Sequence, residues 1–102
     1  MNAMDDITVT RNDETHRYEL RVGDTLAGFT EFIKDTHGRL VFPHTLVDPA
    51  FRGQGLAGIV VERAMEDVAS RGETVVPRCP VVSKYLREYE VPGLTVEWPT
   101  EN

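Results

Sequence analysis

The stretch Asp48-Pro49-Ala50-Phe51-Arg52-Gly53-Gln54-Gly55-Leu56-Ala57 decides how the rest of the chain is organised. It places an arginine and two glycines directly before a run with helical spacing. Backbone N–H groups in the first turn of a helix have no intrahelical partner, and the helix dipole adds positive potential there. Glycines leave those donors accessible, and Arg52 can pair with a phosphate through two hydrogen bonds. The stretch therefore predicts an anion-binding loop.

Downstream of this loop the sequence predicts two helices that alternate with two strands. Apolar residues recur with the helical period from Leu56 to Arg71, and Gly72 is suited to end that helix. Residues 73–77 read as a short fifth strand. Pro80 favours the start of a second helix, predicted over 80–89, and alternating apolar residues predict a last strand over 94–98.

Upstream of the loop the sequence predicts four strands. Apolar and polar residues alternate over 7–10 and 18–22, two further strand-like runs span 26–33 and 39–47, and the short connections between the four runs favour an antiparallel meander. The predicted order is therefore ββββ-α-β-α-β, an α+β fold.

Two residues interrupt these strands. Pro43 cannot donate a backbone hydrogen bond, so it indicates an edge, a bulge or a place where the fourth strand parts from its neighbour. Gly28 in the third strand indicates a bulge or close packing.

Composition limits the class of protein. The chain has 102 residues, of which 40% are hydrophobic and 27% charged, which predicts a single domain over residues 1–102. The net charge of −6 argues against sequence-independent nucleic-acid binding. A single cysteine, Cys79, excludes an internal disulfide and a cysteine-only zinc site, and no metal site is predicted. The absence of a signal-like N-terminus and of a long apolar run favours a cytoplasmic protein with no membrane span.

Three phosphate-binding motifs compete for the glycine loop. A P-loop requires a lysine that is absent, because no lysine lies between Lys34 and Lys84. Gly53, Gly55 and Gly58 match the dinucleotide fingerprint, but four antiparallel strands before the loop do not suit that fold. The third motif, Arg/Gln-x-x-Gly-x-Gly/Ala, is present from Arg52 to Ala57.

With this element order, the chain resembles the Gcn5-related N-acetyltransferase superfamily, and most of all its small single-domain branch. The resemblance spans roughly 22–90 and is carried by His44-Thr45-Leu46-Val47, by the loop from Arg52 to Ala57, and by Pro77-Arg78-Cys79. It implies a mixed, mostly antiparallel sheet with splayed fourth and fifth strands, and acetyl-CoA as the acyl donor. It implies that the cofactor contacts these residues: Leu46, Val47, Arg52, Gly53, Gln54, Gly55, Leu56 and Ala57.

Three residues are candidates for catalysis, each with a structural alternative. The glutamate that many larger relatives use on the fourth strand is absent, so His44 is the nearest candidate base; it is otherwise a hydrogen-bonded strand residue. Cys79 is predicted to cap the second helix, where the dipole favours a thiolate that could carry the acetyl group; otherwise it lines the acyl pocket. Tyr85, or more weakly Ser83, could protonate the leaving thiolate, although the spacing of Tyr85 also suits core packing.

The predicted function is acetyl transfer from acetyl-CoA to an unidentified amine, either directly or through Cys79. The alternative is a regulatory module that binds CoA or acyl-CoA with little or no turnover. The expected partner is a small-molecule or protein amine, with no nucleic acid and no membrane, and the sequence leaves the oligomeric state open.

Overall fold

The computed structural model describes residues 6–100 and confirms the predicted order of elements. The bounds of the long elements differ by no more than a few residues from the predicted ones, whereas the last strand is shorter. The elements are β1 (Ile7–Asn12), β2 (Arg17–Val22), β3 (Thr25–Lys34), β4 (Leu40–Val47), a 3-10 helix (Pro49–Phe51), α1 (Leu56–Ser70), β5 (Thr74–Pro77), α2 (Pro80–Glu88) and β6 (Thr95–Val96).

The six strands form one mixed sheet in the order β1-β2-β3-β4-β5-β6. The first four strands are antiparallel to their neighbours, whereas β5 is parallel to both β4 and β6. Gly23 and Gly38 lie in the tight turns before β3 and β4 with φ of +61° and +79°. The α+β fold with a mostly antiparallel sheet is thus confirmed. Within residues 6–100, neither helix is long and apolar enough to cross a membrane.

The fourth and fifth strands part after a short pairing. Leu40, Val41 and Phe42 of β4 pair with Val75, Val76 and Pro77 of β5, whereas β4 continues to Val47. Pro43 is the first β4 residue beyond the pairing with β5. The Phe42 carbonyl of the same peptide group accepts from Arg78 and Cys79, so the nitrogen of Pro43, which lacks a hydrogen, lies on the side of β3. The rest of β4 therefore borders a gap, which we call the β4–β5 gap.

A bulge in β4 coincides with the start of this gap. Glu31 of β3 pairs with His44, but Ile33 pairs with Val41, so β4 has one residue more than β3 between these two pairs. An extra residue reverses the faces to which the following side chains project. Thr45 consequently lies on the face of the sheet that the helices cover, and His44 lies on the opposite, uncovered face.

The hydrophobic core lies between the sheet and the two helices. The apolar stripe of α1 packs on strands β2 to β5, and burial of such a stripe is the main source of helix stability in small domains. After α1, Gly72 follows the capping Arg71 with φ of +70°, as the sequence predicts. The largest fully buried side chains are Tyr18, Leu20, Leu40, Phe42, Leu56, Val60, Val61, Met65, Val68, Val75 and Val82.

Two aromatic residues that the sequence assigns to apolar faces lie at the surface. Trp98 is 44% exposed because β6 ends at Val96, and its indole lies under the Arg87 guanidinium, 5.3 Å from the ring centroid. Tyr89 is 58% exposed because α2 ends at Glu88 and the chain is extended at Tyr89. The last strand thus ends two residues before the predicted Trp98, whereas α2 ends one residue before the predicted Tyr89, which is its C-cap.

A partly buried arginine, Arg11, connects the edge strand β1 to the segment before β5. Arg11 donates to the Glu73 carboxylate at 2.8 Å and to the Tyr18 hydroxyl at 3.2 Å. The Tyr18 hydroxyl in turn donates to Asp67 of α1 at 2.6 Å. Burial raises the pKa of Tyr18 above its ordinary value, and the Asp67 carboxylate raises it further. This network holds α1 at a fixed position on the sheet.

Gly28 permits the closest contact between β3 and β4. A Cβ atom at this position would lie 2.6 Å from the carbonyl oxygen of Leu46, far inside contact distance. The pairing of β2 with β3 also shifts here, because Gly28 pairs with Leu20 while Leu26 pairs with Arg21. Both expectations for this glycine, a bulge and close packing, are confirmed.

Candidate active site

The glycine loop presents backbone donors at the start of α1. Gly53 and Gly55 have φ of +81° and +72°, in the left-handed region that favours glycine. Gly55 is the N-cap of α1, no side chain caps the helix there, and the first turn carries no acidic residue. The first-turn N–H groups, among them those of Leu56 and Ala57, are therefore available to an anion. Arg52 precedes them and is exposed.

A groove of about 690 Å³ runs from this loop along both helices. Gly55, Ala57 and Gly58 line one side, and Pro80 and Tyr85 line the other. A Cβ atom on Gly58 would meet no atom within 4 Å, so the missing side chain widens the groove. The groove connects the glycine loop with the N-terminus of α2.

The β4–β5 gap exposes one backbone edge of β4. Leu46 and Val47 pair with Phe29 and Gly28 of β3 on one side, and no residue of β5 pairs with them on the other. Leu46 is 46% exposed. Backbone groups on such an edge can pair with an added extended segment, as strands do in β-augmentation.

Cys79 lies where the gap begins. It is the N-cap of α2, as Pro80 predicts, and its N–H donates to the carbonyl oxygen of Phe42 at 2.8 Å. The side chain is buried, with 3% of the residue exposed. Its thiol donates to the Thr45 hydroxyl at 3.4 Å, and this hydroxyl lies 2.8 Å from that of Thr30. The thiol is thus held against β4 by the Thr45 hydroxyl, which is itself hydrogen-bonded to the buried Thr30.

Tyr85 lies in the groove while also packing on the core. Its ring and that of Tyr89 have centroids 4.9 Å apart. Burial raises the pKa of Tyr85, and the carboxylates of Glu62 and Glu66 on α1 raise it further. The hydroxyl therefore remains protonated at neutral pH. The hydroxyl of Ser83 donates instead to the carbonyl oxygen of Pro77 at 3.3 Å.

His44 is separated from the other candidates by the sheet. Its exposed ring packs edge-on against Phe29, with centroids 6.0 Å apart, on the uncovered face. The structure thus brings the glycine loop, Cys79 and Tyr85 to the helix side of the sheet and leaves His44 on the other side.

Sequence reasoning missed two residues of this region. Thr30 and Glu31 lie on β3, and the register of β3 against β4 places them opposite Thr45 and His44. The bulge that Pro43 indicates was the one local signal for these pairs. The partners of a strand cannot be read from the sequence of that strand alone.

The sheet, the gap and the glycine loop together are consistent with an acetyltransferase fold of the GCN5-related type. A comparison with protein families supports this assignment, because the family described as GCN5-related N-acetyl-transferase matches residues 17–91. The chain therefore belongs to this family, and the predicted resemblance to the superfamily is confirmed. No curated protein matches the chain significantly.

Proposed function

We propose that the protein transfers an acetyl group from acetyl-CoA to an amine through Cys79. One observation carries the proposal: the Cys79 thiol lies at the start of the β4–β5 gap, and the groove that begins at the glycine loop reaches Pro80, the next residue. The groove that would bind the donor, the exposed edge of β4 and the nucleophilic thiol of Cys79 would therefore lie near one another. Membership of the acetyltransferase family supports the same reaction class.

The donor would be held chiefly by backbone groups. The N–H groups from Gly53 to Ala57 would receive the pyrophosphate, and Arg52 would add a charged hydrogen bond. The free edge of Leu46 and Val47 would pair with the pantetheine amides. A groove of about 690 Å³ is in the usual size range for a small-molecule site.

The first chemical step would move the acetyl group to the protein. The Cys79 sulfur forms a bond with the thioester carbon, the bond from that carbon to the CoA sulfur breaks, and the thiol proton ends on the CoA sulfur. One thioester replaces another, so the step is close to isoenergetic. A β4 N–H bordering the gap would stabilise the oxyanion, and the protonated Tyr85 would donate a hydrogen bond to the leaving sulfur.

The second step would form the amide. The lone pair of a neutral amine attacks the acetyl carbon on Cys79, a C–N bond forms, and the bond to the Cys79 sulfur breaks. The sulfur takes up the proton that the amine nitrogen loses, which restores the thiol. The acceptor proposed for this step is an amine of a small molecule or a protein.

A regulatory module that binds CoA with little turnover is the second candidate. The burial of Cys79 and the lack of a carboxylate on β4 favour it. Both functions use the same groove and differ in whether an amine can reach the thioester.

The two functions separate when acetyl-CoA is incubated with a panel of primary alkyl- and arylamines while free CoA thiol is followed. We expect thiol release above hydrolysis with at least one amine, together with its acetylated product by mass spectrometry. Tertiary amines of the same carbon skeleton are the control, because they cannot form a stable amide. Saturable binding of acetyl-CoA without amine-dependent release would establish the regulatory module instead.

A further inference from the structure

Strand β1 has one edge without a partner strand among residues 6–100. It is the first strand in the sheet order and pairs only with β2. This ladder runs from Ile7 to Asn12 without a bulge, and the strand contains neither proline nor lysine. Natural edge strands often carry such features, because they prevent pairing with another chain. The opposite edge strand, β6, has only two residues. Strand β1 is therefore the edge that is open to a further strand.

The ladder with β2 determines which backbone groups lie on this open edge. The carbonyl oxygen of Asp6 accepts from the Gly23 N–H at 3.1 Å. In an antiparallel pair, alternate residues direct both of their backbone groups towards the partner strand. Asp6, Thr8 and Thr10 consequently face β2. The N–H and C=O groups of residues 7, 9 and 11 point outwards.

This edge is complementary to a second copy of itself. A two-fold axis at Val9 pairs the two β1 strands antiparallel, so that Val9 meets Val9 of the second copy, and Ile7 meets Arg11. Every outward N–H and C=O of residues 7, 9 and 11 then has a partner. Thr8 lies opposite Thr10 of the second copy on the uncovered face, where both are exposed. Cross-strand threonine pairs of this kind stabilise a sheet.

The charges of α1 beside this edge are complementary under the same axis. A groove of about 520 Å³ lies between β1 and α1, and Arg63 and Glu66 line its helix side. Both residues are exposed, and neither has an ion-pair partner among residues 6–100. The axis places both α1 helices on the same face of the joined sheet, so Arg63 of each copy approaches Glu66 of the other. Two positive and two negative charges then surround the axis.

We propose that the protein forms a homodimer in which the two β1 strands pair antiparallel and the two sheets become one. Strands β2 and β3 lie between β1 and β4 in each copy. The interface therefore leaves the β4–β5 gap and the glycine loop of both copies accessible. Dimerisation does not depend on the acetyl transfer proposed above, and either proposal can fail without the other.

Size-exclusion chromatography with light scattering, at concentrations up to millimolar, tests the proposal. We expect the mass to rise with concentration towards that of a dimer. Val9→Pro should keep the protein monomeric, because proline cannot donate from the edge and hinders the approach of another strand. The ladder with β2 should remain, since the N–H of Val9 points away from β2. An unsubstituted protein that is monomeric at every concentration overturns the proposal.

Exchange of charges on α1 tests the same interface without altering β1. Arg63→Glu and Glu66→Arg each place four like charges around the axis, and each should raise the dimer dissociation constant roughly 10-fold, as expected when two exposed ion pairs are lost. The double variant restores the opposite charges and should restore the dissociation constant. Lys34→Glu makes the same change in net charge at the end of β3 and should have little effect. A double variant that dimerises no better than the single variants overturns the proposal.

Amide hydrogen exchange identifies the strand edge that the dimer buries. The N–H groups of Ile7, Val9 and Arg11 should exchange as slowly in the dimer as those of Thr8 and Thr10, which face β2. Dilution to the monomer should accelerate exchange at the first three residues only. A dimer in which these three amides exchange rapidly uses another surface and overturns the proposal.

Discussion

Gly55→Asp should abolish the stabilisation of the protein by acetyl-CoA. The new carboxylate would stand where the pyrophosphate is bound, and like charges at a helix N-terminus site repel. A ligand at 100 times its Kd stabilises a protein by about 2.7 kcal/mol, and we expect this whole increment to be lost. Thermal unfolding with and without acetyl-CoA measures it directly.

Gly38→Asp is the matched control for this experiment. Gly38 also has a positive φ, +79° against +72° for Gly55, and neither position has another atom within 4 Å of a built Cβ. Both variants therefore pay a similar backbone strain and add the same charge. Gly38→Asp, in the turn before β4, should keep the full acetyl-CoA shift. An equal shift in Gly55→Asp would show that the loop does not hold the donor.

Acetyl-CoA without an amine should transfer one acetyl group to Cys79. The thiol lies at the start of the β4–β5 gap, and the acetylated protein accumulates when no acceptor is present. Intact-mass measurement and peptide mapping should locate the group on Cys79, and addition of an accepted amine should remove it. Cys79→Ala should lower the rate of amine acetylation by at least about 100-fold, as expected when a group acting in the transition state is lost.

Two measurements serve as controls for the acetylation of Cys79. Cys79→Ala should retain the thermal shift with acetyl-CoA, because donor binding depends on the loop and on backbone groups of β4. Thr45→Val should remove the hydrogen bond between the thiol and the Thr45 hydroxyl but leave Cys79 able to accept the acetyl group. If Cys79→Ala acetylates amines at an unchanged rate, the acetyl group passes directly from acetyl-CoA to the amine and Cys79 does not carry it.

Local signals explain why the sequence predicted most of the fold. The period of α1, the proline that starts α2 and the glycines of the loop act within a few residues of where they stand. Pro43 is similar, because its missing N–H interrupts the pairing of β4 locally, at the bulge against β3. These features also identified the loop and the capping position of Cys79.

Non-local pairing explains what the sequence did not predict. The juxtaposition of Glu31 with His44, and of Thr30 with Thr45, depends on the register between two strands and on a bulge. Arg11 meets Glu73 across a long stretch of chain. Trp98 was assigned to a strand by its alternation with Leu94 and Val96, but β6 has no partner residues that far along. None of these contacts follows from the period of a single segment.

The binding of the CoA pyrophosphate by backbone N–H groups at the start of α1 is tested most directly by an NMR titration. Addition of coenzyme A to the ¹⁵N-labelled protein should shift the amide signals of residues 53–57 most strongly, with smaller changes at Leu46 and Val47. Shifts confined to other parts of the chain, or no saturable change at all, would contradict the account.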